Sequence, residues 1–163
     1  MNIGAILLLA AACHGAFAQI SLGPNKIQFP TSDQLIAAAG DESTARVVVS
    51  EALRYHTRVF GPRTTTLLAA QIPESWLPEV SGVRFTRLAD EAAREYFNQC
   101  GTLLAVHEFK KLTAEALQVS IAENRPCTVS GLELRFIRSQ NAWRLDDHPG
   151  GGFGGGTSGC NCK

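Results

Sequence analysis

Cysteine is the residue type whose spacing most invites chemistry in this chain, which carries five among 163 residues. Two of them stand close together as Cys160-Asn161-Cys162. Thiols separated by one residue can chelate a soft metal, close a strained local disulfide or cross-link to another molecule. His148 precedes a glycine run that leads to this pair. His148, Cys160 and Cys162 together would make a three-ligand set suited to zinc or copper. The pattern lacks the second Cys pair of standard zinc sites, and it is not the Cys-x-x-Cys of thiol–disulfide catalysts. The leading reading therefore has no cofactor, with a zinc or copper protein, or a thiol-redox protein, as the alternative.

Disulfide formation is the second chemistry on offer. Cys100, Cys127, Cys160 and Cys162 allow three connectivities. Cys100 and Cys127 each precede a strand in the reading below, the first and third of an antiparallel run. A bridge between them closes a loop of about 25 residues, worth roughly 3 kcal/mol on a loop-entropy argument. The histidines carry less. His56 lies on the apolar stripe of a helix, and Glu51 is five residues away, a poor spacing for a pair. His107 and Glu108 are neighbours on a strand and should point to opposite faces. There is no Gly-x-Ser-x-Gly elbow, His-Glu-x-x-His, P-loop or dinucleotide fingerprint. Net charge is zero and the longest basic run is Lys110-Lys111. That argues against a nucleic-acid partner, which needs a clustered basic surface. The arginines at 84, 87, 135, 138 and 144 read as a solvated sheet face, with Glu133 and Arg135 together on it. Trp76 and Trp143 read as core or rim packing.

These groups are held by elements that the local pattern announces. Thr31-Ser32-Asp33-Gln34 is a capping box, opening a short helix to Ala39 that stops at Gly40. Asp41 or Ser43 caps a longer helix whose stripe is Ala45, Val48, Val49, Ala52, Leu53, His56, Val59 and Phe60, ending at Gly61-Pro62. Residues 64–72 have strand composition, 73–78 form a turn or one helical turn around Trp76, and 83–88 form a short strand. Asp90 caps a third helix toward Cys100, with Gly101 closing it. The period then changes to two, giving strands over 103–109, 117–123, 128–138 and 142–146. Leu117, Val119 and Ile121 alternate with Gln118 and Ser120, and Leu132, Leu134 and Phe136 with Glu133 and Arg135. One face is then buried and one wet, as in a meander.

The fold class is therefore α+β, with N-terminal helices packed on one face of a mainly antiparallel C-terminal sheet. This order of elements resembles cystatin-like or NTF2-like folds in outline. The resemblance implies a cone that can assemble a site from residues distant in sequence. Residues 149–163 are dense in glycine and should hold no regular element, forming a flexible tail.

Residues 1–18 carry no charged side chain and include the apolar run Ile3 to Ala12. Ala16-Phe17-Ala18 followed by Gln19 fits a signal-peptidase site, and the segment is too short to span a bilayer. The chain thus reads as signal peptide 1–18, a single domain 19–148 and the tail 149–163. It would be secreted or periplasmic, an oxidising location that favours disulfides. Ala10-Ala11-Ala12-Cys13 offers the alternative of a lipoprotein anchored through Cys13. The function these features favour is a non-enzymatic binding or accessory protein with a protein or small-molecule ligand. A pocket enzyme built from distant residues would require His56 or His107 beside a carboxylate in a deep cavity.

Overall fold

The computed structural model describes residues 30–62, 65–68, 72–99, 101–125, 128–148 and 150–156. Helix α1 (Ser32–Ala39) begins at Thr31 with the full capping box. The Thr31 hydroxyl accepts from the Gln34 N–H at 3.3 Å, and the Gln34 side chain accepts from the Thr31 N–H at 2.9 Å. Gly40 ends it in the left-handed region at φ 98°, with its N–H donated to the Ile36 carbonyl. Helix α2 (Glu42–Phe60) takes Asp41 as its N-cap. One Asp41 carboxylate oxygen accepts the Thr44 N–H and the other the Thr44 hydroxyl, each at 2.8 Å.

The α2 stripe buries Ala45, Val48, Val49, Ala52, Leu53 and His56. Spacings of three and four put these on one face. Val59 continues the stripe in azimuth but is 49% exposed, because the last turn outruns what covers it. After α2 come β1 (Thr65–Leu68), a 3-10 turn at Glu74–Trp76 and β2 (Arg84–Arg87). Then follow α3 (Asp90–Asn98), β3 (Leu103–Thr113), β4 (Ala116–Arg125), β5 (Thr128–Ser139) and β6 (Ala142–Leu145). Trp76 is fully buried in the core and Trp143 lies at its rim.

The sheet is mixed and curled, in the order β2-β1-β3-β4-β5-β6. The meander β3 to β6 is antiparallel throughout, while β1 joins β2 and β3 in parallel. The α+β class and the four successive C-terminal strands agree with the sequence reading. Helices α1 and α2 cover one face, where Leu104, Val106, Leu117, Val119, Ile121, Leu134 and Phe136 join the main core.

Two expectations fail. The helices do not share one face: α3 brings Ala93 against Leu103 and Ala105 in a separate apolar cluster, and alternation along β3 places that cluster on the opposite side. The second face is consequently not uniformly wet, and Ser120, Ala122 and Asn124 of β4 are buried. The glycine run does not lack regular structure either. Gly152–Gly156 forms β7, antiparallel to β5, from Leu132↔Gly152 to Thr128↔Gly156. Missing side chains permit this approach. Gly150 turns the chain at φ 115°, and a Cβ there would sit 2.0 Å from the Glu133 carbonyl oxygen.

The Asp41 carboxyl is held below its ordinary pKa, chiefly by the Thr44 N–H and then by the Thr44 hydroxyl. Its contribution is present above the unfolded-state value of 3.8 and fades as pH falls through the folded value. Asp41→Ala should cost roughly 1 kcal/mol at neutral pH in urea denaturation. The gap to wild type should close in acid, once protonation removes the acceptor.

Candidate functional site

Five separate stretches of sequence meet where β3 begins. The last two turns of α2 supply His56, Thr57 and Phe60, α3 supplies Tyr96, the start of β3 supplies Thr102 and Leu104, and β4 supplies Glu123. Thr65, Thr66 and Leu67 of β1 complete the wall of a cavity of about 100 Å³. That is room for several waters or a small molecule. His56 is 6% exposed and Glu123 is 3% exposed. The His56 ring lies 4.6 Å from the Phe60 ring, centroid to centroid, one helical turn on. The Thr57 hydroxyl donates to the Leu53 carbonyl at 2.9 Å, which keeps that side chain against its own helix.

Glu123 occupies a core-facing place on β4. Its row is that of Leu117, Val119 and Ile121, and its partners across the sheet are Leu104 and Ser130. Its carboxylate accepts from Arg125 Nη2 at 3.0 Å, two residues along the same strand face. A buried carboxylate requires such a partner, since desolvation otherwise drives it neutral. The cavity thus sets an imidazole, a paired carboxylate and threonine and tyrosine hydroxyls against the apolar walls of Phe60, Leu67 and Leu104. It can orient a small polar molecule, and its imidazole and carboxylate are the residue types that move protons. Gly101 adjoins this wall. A Cβ there would fall 2.1 Å from the Tyr96 ring, so only hydrogen lets the ring lie where it does.

A second, more open cleft runs between α1, α3 and β3, lined by Thr31, Gln34, Asp90, Arg94, His107, Glu108 and Phe109. The β3–β4 register slips between Val106↔Ile121 and Glu108↔Ser120, leaving His107 as the extra residue of a bulge. His107 and Glu108 therefore line the same cleft instead of pointing to opposite faces. His107 Nε2 and Asp90 Oδ1 are buried there without a hydrogen-bond partner among the described residues. Burial pushes the His107 imidazole below its ordinary pKa.

No family model matches this chain, and no characterised protein or solved structure shows significant similarity to it.

Of the residues singled out from sequence, His56 enters the cavity. Glu51 does not join it and is ion-paired with Arg54 on the surface. His148 is exposed, and its N–H donates to Asp146 Oδ1 at 3.3 Å. Asp146 also meets Arg135 Nε at 3.5 Å. Cys13, Ala18, Gln19, Cys100, Cys127, Cys160 and Cys162 lie outside the described residues. Among the described residues, no three His, Cys, Asp or Glu side chains come together as a metal-ligand set. Sequence reasoning missed Glu123. The available signal was its position: a charged residue at the next core-facing place after Leu117, Val119 and Ile121.

Gly101→Ala should force the Tyr96 ring out of the cavity wall and cost roughly 1–3 kcal/mol, measured by urea denaturation and by Tyr96 ring NMR shifts. His107 should titrate below 6.5 in histidine NMR. A depressed folded value means that the unfolded state takes the proton first as pH falls. Stability should therefore drop as pH falls through 6.5 toward the lower folded-state value, and less steeply in His107→Gln.

Proposed function

We propose that this chain is an exported, secreted or periplasmic binding protein that holds a small polar molecule in the cavity between the end of α2 and the β1–β3–β4 end of the sheet. The observation that carries the reading is the pairing of burial with polarity: His56 and Glu123 are both nine-tenths or more buried and both line one cavity. Buried polar groups cost stability unless they are partnered or used. The overall plan fits a cone of cystatin-like or NTF2-like outline. Helices α1 and α2 precede a curled mixed sheet whose β3–β6 meander is antiparallel, and the longest helix lies across its core-facing side. Export is supported by the charge-free apolar segment at 1–18 and its Ala-Phe-Ala end. Among the described residues no helix is long and apolar enough to cross a membrane.

One specific observation favours a second reading. His56 and Glu123 line one cavity, which supplies the two residue types a pocket enzyme would need, with His56 to accept a proton from a bound substrate and Glu123 to hold charge in the same wall.

Thermal-shift screening of the purified protein against sugars, amino acids, short carboxylic acids and amines tests both. A binder present at about a hundred times its Kd adds about 2.7 kcal/mol, or roughly 5–10 °C in Tm. Thr102→Phe, which fills the cavity, should abolish that shift. Absence of any shift, or one that survives Thr102→Phe, defeats the cavity as a binding site. Conversion of the bound compound, lost in His56→Ala, replaces the binding protein by the enzyme.

A further inference from the structure

The cleft between α1, α3 and β3 holds polar groups that the cavity at the end of α2 does not use. β1 pairs with β3 only at Leu68↔Leu104. Further along, β3 is flanked by α1 and α3, and between the three lies an open cleft of about 500 Å³. The bulge at His107 brings that imidazole into its wall. His107 Nε2 and Asp90 Oδ1 are buried there, and among the described residues neither finds a hydrogen-bond partner, in the other or elsewhere. Burying such an atom forfeits its bonds to water and returns none, unless a bound group supplies them.

The charges in the cleft are ordered. Asp90 and Arg94 stand one turn apart on α3 and project from one face of it. Both line the cleft. A pair at this spacing ordinarily closes on itself, yet among the described residues these two form no ion pair. Asp90 turns an oxygen inward, while Arg94 is exposed at the rim. Negative charge inside and positive charge at the mouth suit a ligand of the opposite order, cation leading and anion trailing. Among the described residues no three His, Cys, Asp or Glu side chains converge on a metal-sized point, so the fitting cation is an organic one. Burial keeps the His107 imidazole neutral near pH 7, and a neutral ring accepts at one of its nitrogens. Leu35 and Phe109 give the cleft an apolar side.

We propose that this cleft binds a free amino acid with an apolar side chain. Its ammonium donates to Asp90 Oδ1 and His107 Nε2, its carboxylate accepts from the Arg94 guanidinium, and its side chain lies against Leu35 and Phe109. Side chains one helical turn apart start about 5–6 Å from each other. The two charged groups of an amino acid, carried on one carbon, bridge that interval once both side chains reach toward them. A simple amine leaves Arg94 unanswered, a carboxylic acid leaves Asp90 so, and a sugar meets neither charge. The site is separate from the cavity at the end of α2 and holds whatever that cavity binds.

The purified full chain is titrated with L-leucine, followed by calorimetry and by the His56 and His107 ring signals in NMR. Leucine should bind and move the His107 signals. Isocaproate, which lacks the amine, and isopentylamine, which lacks the carboxylate, should each bind roughly tenfold more weakly or worse. Arg94→Gln, at an exposed position, should weaken leucine roughly 10- to 100-fold and leave isopentylamine unchanged, a split that a general loss of structure would not give. Asp90→Asn should weaken leucine and isopentylamine alike. Neither leucine nor phenylalanine binding at up to about 10 mM overturns the proposal. Equal affinity for leucine, isocaproate and isopentylamine does so too, as does leucine binding unchanged in Arg94→Gln. Leucine binding that is lost in Thr102→Phe and kept in Arg94→Gln puts the amino acid in the cavity at the end of α2, which overturns this site and upholds that one.

Discussion

Helix α2 laid across β4 is the contact from which the rest of the molecule takes its position. Ala45 and Ala52 keep the helix slim where it meets the sheet, and Val48, Val49 and Leu53 fill the space around them. Beneath lie Leu117, Val119 and Ile121, on a strand whose two edges are paired along nearly all its length. A helix seated on such a strand has little freedom to slide. Losing one of these side chains removes contacts that a close-packed interior does not restore. The same seating carries His56 out to the end of the helix and brings it over the end of the sheet. The cavity is thus a product of length: α2 runs past the covered part of the core, and its last turns roof a space that no large side chain fills.

That space lies at the limit of what burial permits. Glu123 continues the row of Leu117, Val119 and Ile121, where an apolar residue would pack with less penalty. Its partner Arg125 sits on the same strand face with its guanidinium half in water. Replacing a buried ion pair by apolar side chains is often neutral or stabilising. Glu123 thus places a carboxylate in the cavity wall at a position where packing alone favours an apolar residue.

Local signals carried much of this architecture. The Thr31–Gln34 capping box, the Asp41 cap, the α2 stripe and the four alternating strands are each written within a dozen residues, and each appears where the pattern places it. Interactions between distant segments were not legible. The parallel joining of β1 to β3, the placement of α3 on the second face and the slip at His107 depend on partners tens of residues away. Residues 56, 96, 102 and 123 carry no shared motif that would announce a cavity. The glycine run misled for a different reason. Glycine weakens a strand in isolation, yet where another backbone must come close it alone fits, as Gly150 does beside Glu133.

The outer edge of β5 is closed by two unrelated pieces of chain. β6 takes Phe136 to Ser139, β7 takes Thr128 to Leu132, and the Asp146 N–H to Arg135 O and Glu133 N–H to Gly151 O bonds bridge the interval. Hardly a donor or acceptor on that side of β5 is left for a stranger. Open strand edges are the templates on which chains join one another into aggregates. β7, four glycines and one phenylalanine, covers such an edge with its backbone. The glycine segment thus closes the part of the β5 edge that β6 is too short to reach.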